Sequence, residues 1–120
     1  MPAKILVNCT QGKEDPERAT LSFVVGNVAA TADQEAVVLL TIEGVRLATK
    51  GYADGVHKDG FQPLNDVIQS FVTNGGKVWA CGSCTKPRGI TEADLITGAK
   101  IVTAANVVEY MASGASTLNF

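Results

Sequence analysis

The length and composition of the chain indicate one small domain. Its 120 residues are 46% apolar and carry 10 basic against 12 acidic side chains, which allows one core over residues 1–120 and provides no basic surface for nucleic acid. The N-terminal stretch lacks the features of a secretory signal, and charge or glycine breaks each apolar run before it could span a bilayer, so we expect a cytoplasmic protein with no membrane partner.

The first elements along the chain are a buried strand and a capped helix. The run Ile5-Leu6-Val7 predicts a strand that ends near Cys9, and after a polar loop Asp15 can cap a helix whose first residue is Pro16. The unbroken apolar run within 35–41 predicts a second strand, buried on both sides and therefore central in the sheet. Four bulky apolar residues predict the buried face of the first helix: Leu21, Val24, Val25 and Val28.

The rest of the chain continues the alternation of strands and helices. A short helix around 45–48 ends at Gly51, residues 52–62 predict a mobile loop, and an amphipathic helix begins at Pro63. Five apolar residues at helical spacing predict the buried face of that helix: Leu64, Val67, Ile68, Phe71 and Val72. The later predictions are a strand over 77–80, a capped turn at 91–94, a strand over 99–102, a helix ending at Gly114 and a strand over 116–120. Strands that alternate with helices indicate a parallel sheet covered on both faces. The predicted fold is a three-layer α/β/α sandwich with a mostly parallel five-stranded sheet.

The candidate functional residue is Cys81, which directly follows the third predicted strand. In open parallel sheets, ligands bind beyond the carboxyl ends of the strands, so residues 81–90 lie where reactions are usually sited. A thiolate is the reactive form of cysteine, and the loop N–H groups with the cations Lys86 and Arg88 would stabilise it. The alternative is a buried cysteine that packs as a small hydrophobic residue.

A second cysteine, Cys84, lies three residues after Cys81 and leaves a second chemistry open. This is the spacing of dithiol oxidoreductases, in which the two cysteines can form a disulfide. A closed zinc site needs four ligands, and the remaining soft ligands in the chain are Cys9 and His57, so we expect no metal.

The segment that begins at Cys81 resembles the cysteine segment of the DsrE/DsrF-like sulfurtransferase family. Its pattern Cys-x-x-Cys-Thr-x-x-Arg-Gly-Ile and the ending Leu118-Asn119-Phe120 are most similar to the YchN-type homo-oligomeric members. The resemblance extends to Asp15-Pro16-Glu17-Arg18-Ala19 after the first strand and Gly44-Val45 after the second. It implies an α/β sandwich assembled as a homotrimer or homohexamer, which works in intracellular sulfur trafficking by persulfide relay.

The resemblance also implies roles for individual residues. The sulfur-carrying cysteine of the family falls at Cys81, which would accept sulfur from a donor persulfide and pass it to an acceptor thiol without a metal or organic cofactor. Arg88 and the loop around Gly82, Ser83 and Gly89 would stabilise the anion. The implied partners are a sulfur donor protein and a sulfur acceptor protein, for which a TusA-like carrier is a candidate.

Three residues have open roles. Cys84 would resolve a persulfide, protect Cys81 as a disulfide, or have no chemical part. Cys9 is expected to face the same sheet edge as Cys81, and His57 lies in a loop that could fold over the thiol and supply a base or cation. Their ordinary alternatives are a packed thiol and a solvated loop histidine.

The sequence is therefore compatible with three functions. The first is persulfide relay through Cys81, and the second is a thiol-disulfide oxidoreductase that uses Cys81 with Cys84. The third is a non-catalytic oligomeric protein that binds a partner or a small anion.

Overall fold

Five short strands form the centre of the protein. The computed structural model describes residues 2–120, and its strands are β1 (Lys4–Cys9), β2 (Glu35–Leu40), β3 (Lys77–Cys81), β4 (Ala99–Val102) and β5 (Ser116–Asn119). They lie in the order β4-β3-β2-β1-β5, and all neighbouring strands are parallel. The predicted α/β sheet, with the second strand at its centre, is confirmed. Since every strand runs the same way, all carboxyl ends share one border, which we call the carboxyl edge.

Helices cover both faces of the sheet. The helices are α1 (Pro16–Thr31), α2 (Leu64–Thr73), α3 (Gly82–Thr85) and α4 (Ala104–Ala112), with 3₁₀ turns at Ile42–Ala48, Lys86–Arg88 and Glu92–Asp94. α1 and α2 pack on one face, where the larger core contains Val7 and Val38. α4 packs on the other face, against a smaller cluster that contains Leu6 and Val37. Because neighbouring residues of a strand point to opposite faces, these two clusters establish the three layers.

Helix boundaries follow the local signals of the sequence closely. Pro63 is the residue that precedes α2, one position before the helix proper. The predicted turn at 91–94 carries a full capping box, in which the Thr91 N–H donates to the Asp94 carboxylate at 2.8 Å. No helix within residues 2–120 is long and apolar enough to cross a membrane.

The buried face of α1 differs from the prediction. Its contact stripe consists of Ala19, Phe23, Gly26 and Ala30, whereas Val28 is 63% exposed and Leu21, Val24 and Val25 are only partly buried. The stripe contains small residues because α1 lies close to the sheet. A Cβ at Gly26 would come within 2.8 Å of the Val38 Cγ2 atom. Val24 and Val25 flank this stripe and pack against the larger core, so the prediction holds for them and is wrong for Val28.

The start of α1 provides a test of the capping prediction. The Asp15 carboxylate accepts hydrogen bonds from the backbone N–H of Arg18 at 3.1 Å and from its Nη1 at 2.7 Å. The backbone N–H of Arg18 is the main reason why the pKa of the Asp15 carboxyl lies below its ordinary value. We expect Asp15→Ala to lower the free energy of unfolding by about 1 kcal/mol at neutral pH.

The pH dependence of that loss identifies its cause. A carboxyl with a lowered pKa stabilises the fold above its ordinary titration range, and this contribution disappears as the pH falls through the lowered pKa. Urea unfolding should therefore separate Asp15→Ala from the unmodified protein at neutral pH and bring the two together in strong acid. Asp59→Ala, which removes an exposed loop carboxylate, is the control and should change little at either pH. An equal loss in both variants would contradict the capping role.

Candidate functional site

Cys81 is the last residue of β3 and lies at the carboxyl edge. Its side chain is half-buried, and it immediately precedes α3. Gly82 fits the close approach of the chain to β4 there, because a Cβ at this position would lie 3.2 Å from the Val102 carbonyl oxygen. β3 and Gly82 together present a thiol that is neither sealed in the core nor fully solvated.

The chain after Cys81 forms a compact loop over residues 81–90, which we call the cysteine loop. Thr85 is buried, and its hydroxyl donates to the Gly82 carbonyl at 3.2 Å. Ile90 is also buried, and its N–H donates to the Thr85 carbonyl at 3.1 Å. Gly89 adopts a left-handed conformation with φ 69°, which an L side chain rarely adopts. The loop is therefore anchored by two buried residues, while Ser83 remains exposed.

Cys84 lies on the same single turn of helix as Gly82. Its side chain is half-buried and packs, like that of Cys81, against the larger core. Both cysteines are free thiols, as is Cys9. Both side chains are thus partly buried, and a joint role of Cys84 with Cys81 stays a prediction.

Arg88 lies in the cysteine loop, and its guanidinium donates hydrogen bonds to a carboxylate and a backbone carbonyl. Its Nε donates to Glu43 Oε1 at 3.0 Å, and its Nη1 donates to the Cys84 carbonyl at 3.1 Å. Glu43 also accepts from Arg46 Nε through its other oxygen at 2.9 Å. The hydrogen bond from Arg88 is the main cause of the lowered pKa of the Glu43 carboxyl. The action of Arg88 on the thiolate of Cys81 stays a prediction.

Glu43 is the residue that sequence reasoning missed. It lies in the 3₁₀ turn that directly follows β2, and β2 pairs in parallel with β3. Residues that follow two neighbouring parallel strands meet at the carboxyl edge, so the chain order already indicated that Glu43 would lie near the loop. The signal was the position of an acidic residue just after the central strand.

Cys9 lies at the predicted edge but is sealed from solvent. It pairs with Leu40 of β2, which in turn pairs with Ala80 of β3, so β2 separates it from the cysteine loop. Its side chain is fully buried, and the thiol donates to the Gln11 carbonyl at 3.3 Å. Burial raises the pKa of the Cys9 thiol, which disfavours the thiolate. These observations favour the packed-thiol alternative for Cys9.

His57 is exposed and lies in the segment of turns after residue 51. Its ring Nε2 donates to the Phe61 carbonyl at 2.7 Å, since a carbonyl oxygen can only accept. This local contact favours the solvated loop alternative, and a role over the thiol stays a prediction. Within residues 2–120, His, Cys, Asp and Glu side chains form no group of three or more that could hold a metal ion.

A comparison with known protein families shows which family this chain belongs to. The model of the DsrE/DsrF-like family matches residues 3–120. The chain belongs to this family. The resemblance that begins at Cys81 is thereby confirmed, and the family is known for sulfur relay.

Curated relatives come from archaea. The chain is 29% identical over 102 residues to the uncharacterized protein MJ0760 of Methanocaldococcus jannaschii, covering 85% of this chain and 37% of that protein. It thus spans little more than a third of the length of that relative. It is 27% identical over 107 residues to the uncharacterized protein MK0008 of Methanopyrus kandleri, covering 89% of this chain and 85% of the relative.

Two solved structures share the fold. The YchN protein of E. coli matches with a TM-score of 0.80 at 20% identity, covering 98% of this chain and 99% of YchN. A protein of unknown function, MTH1491 of Methanobacterium thermoautotrophicum, matches with a TM-score of 0.70 at 14% identity, with the same coverage. At these identities the structures support the fold and its element order.

Proposed function

We propose that this protein carries sulfur as a persulfide on Cys81, between a donor and an acceptor protein. The observation that carries the proposal is the half-buried thiol of Cys81 at the carboxyl edge, in contrast to the sealed thiol of Cys9. Membership of a family known for sulfur relay supports it. A sulfur carrier needs a thiol that a second protein can reach, and a strand end at the sheet edge provides that access.

The reaction is a pair of thiol exchanges in which the sulfane sulfur keeps its oxidation state. The Cys81 thiolate attacks the outer sulfur of a donor persulfide, the new S–S bond forms, and the old S–S bond breaks to release the donor thiolate. The Cys81 persulfide then gives its outer sulfur to an acceptor thiolate, and the Cys81 thiolate is regenerated. The proton on the outer sulfur is exchanged with solvent, so neither step requires an oxidant, a reductant or a cofactor.

We further propose that the protein works in the cytoplasm as a homotrimer or homohexamer. The supporting observation is apolar surface on α4 and β5, where Val108 is 59% exposed and Leu118 is 47% exposed. Assembly between copies of the chain would remove these side chains from water. The sulfur donor and a TusA-like acceptor would then meet the cysteine loop as separate proteins.

The proposal is tested by loading the protein with sulfur and locating it. The purified, reduced protein is incubated with inorganic polysulfide, digested without reductant, and mapped by mass spectrometry. We expect one added sulfur atom, which fragmentation of the peptide that contains both Cys81 and Cys84 should locate on Cys81, and its removal by an added thiol. Addition only at Cys84, or at no cysteine, would overturn the proposal.

A second candidate is a thiol-disulfide oxidoreductase that uses Cys81 with Cys84. The observation that favours it is that both free thiols are partly buried and lie three residues apart, with Cys81 at the end of β3 and Cys84 in α3. In that mechanism both thiols are indispensable, because the second attacks the mixed disulfide formed by the first. Relay needs only Cys81, so the contribution of Cys84 separates the two candidates.

A further inference from the structure

The cysteine loop is joined to the rest of the fold by few polar side-chain contacts. Its hydrogen bonds between Thr85, Gly82 and Ile90 are internal. Among the side-chain hydrogen bonds of residues 2–120, one connects the loop to a different segment, and it is the bond from Arg88 Nε to Glu43 Oε1. The same guanidinium holds the Cys84 carbonyl at 3.1 Å. Glu43 therefore reaches the backbone of the loop through one intermediate side chain.

Glu43 is held in a fixed place at the carboxyl edge. The next residue, Gly44, donates its N–H to the Thr10 carbonyl at 3.2 Å and to the Thr41 carbonyl at 2.9 Å. Position 44 requires glycine, because a Cβ there would overlap the Cys9 carbonyl oxygen. The turn that carries Glu43 is thus packed directly on the end of β1.

The backbone just before Glu43 is strained. Ile42 has φ 55°, a left-handed conformation that is unfavourable for a β-branched residue, and its side chain is 54% exposed. Burial of Ile42 therefore does little to offset the strain. Conformations of this kind persist where the surrounding structure requires them, and they cluster at functional sites.

The ion pair between Arg88 and Glu43 contributes little to stability. The side chains of Arg88 and Glu43 are 24% and 37% exposed, and partly exposed ion pairs contribute little to stability. The strain at a left-handed Ile costs more than such a pair returns. The turn is held by the buried side chains of Val45, Leu47 and Ala48. This anchored turn places the Glu43 carboxylate beside the cysteine loop.

We propose that Glu43 is a positioning residue of the sulfur-carrying loop, which acts through Arg88 to fix the backbone that presents Cys81. This inference rests on the proposed persulfide relay. Attack on a persulfide requires the attacking sulfur to approach along the axis of the breaking S–S bond, so the direction of the Cys81 side chain matters. A displacement of a reacting group by about 1 Å can slow a reaction about 100-fold.

The test compares sulfur uptake from polysulfide in a set of variants. Glu43→Ala and Arg88→Ala should each slow the maximal rate of loading of Cys81 about tenfold, with little change in the polysulfide concentration for half-maximal rate. The double variant should be no slower than either single variant, because one residue acts through the other. Glu43→Gln keeps an acceptor for Arg88 and should recover part of the rate. Arg18→Ala, which removes an exposed ion pair on α1, is the control.

The outcomes separate this inference from the proposed function. Unchanged loading in Glu43→Ala, or rate losses that multiply in the double variant, would overturn the positioning role while the relay stands. If the unmodified protein takes up no sulfur, the relay fails, and alkylation of Cys81 by iodoacetamide still decides the positioning role. In that measurement the two single variants and the double variant should share one altered rate, whereas Arg18→Ala should match the unmodified protein. If the unmodified protein, the two single variants, the double variant and Arg18→Ala are all alkylated at the same rate, the positioning role of Glu43 is rejected.

Discussion

We expect Cys81→Ser to abolish sulfur uptake and sulfur delivery, whereas Cys84→Ser should retain most of both. A serine hydroxyl is not ionised at neutral pH and cannot attack a persulfide as a thiolate does, so the first variant should fall to the rate measured without protein. Cys84 is not needed for a transfer in which the acceptor supplies its own thiol, so we expect its replacement to change the rate by about threefold at most. The measurement is the transfer of labelled sulfur from polysulfide to a small thiol acceptor.

The control for this pair is Ser83→Ala. Ser83 is exposed and lies between the two cysteines in the cysteine loop, so this variant reports on substitution of the loop itself. It should transfer sulfur like the unmodified protein. Loss of activity in Cys84→Ser as complete as in Cys81→Ser, with Ser83→Ala active, would replace the relay with the dithiol oxidoreductase.

The position of Cys81 could be predicted from the sequence because it depends on local patterns. A short apolar run over 77–80 predicts a buried strand, and the glycine at 82 permits a turn directly after it. The alternation of strands and helices then orients the strands in parallel and brings their carboxyl ends to one edge. None of these steps requires knowledge of a contact between distant residues.

The position of Glu43 after β2 follows from the chain order, but its pairing with Arg88 could not be predicted in the same way. Glu43 lies 45 residues earlier in the chain, and an Arg has many carboxylates available to it in a sequence of this composition. The left-handed conformation of Ile42 also leaves no mark in the sequence, since β-branched residues are the least expected there. Contacts of this kind depend on the packing of the assembled fold.

The buried faces of the helices also differ in how well the sequence predicts them. The buried stripe of α2 was predicted well, because its large apolar residues recur at helical spacing. Val72 is partly buried, and the other four predicted residues are buried: Leu64, Val67, Ile68 and Phe71. The stripe of α1 was predicted only in part. Val24 and Val25 do pack against the larger core, but Gly26 and the alanines of the stripe are selected by the short distance between α1 and the sheet. That distance is a property of the layers and is absent from the sequence pattern.

Phe71→Ala should lower the free energy of unfolding by about 3–5 kcal/mol, the largest loss of stability that we expect from a single substitution here. Phe71 is fully buried, and its ring meets the Phe23 ring edge to face with centroids 5.8 Å apart. The ring also lies against Gly26 of α1 and Gly76 before β3. Glycine has no side chain that could move into the space left by the ring, so the cavity should collapse only in part.

Chemical denaturation of Phe71→Ala measures this effect, with Phe61→Ala as the matched control. Phe61 is only partly buried and lies in the segment of turns before α2, so removal of its ring should cost clearly less. A loss of 3–5 kcal/mol is a large share of the roughly 5–15 kcal/mol that stabilises a domain of this size. Equal losses in the two variants would contradict the view that Phe71 joins α1 and α2 to the sheet. Because Phe71 lies within the helical layer and the cysteine loop lies at the carboxyl edge, the folded fraction of Phe71→Ala should still load sulfur on Cys81.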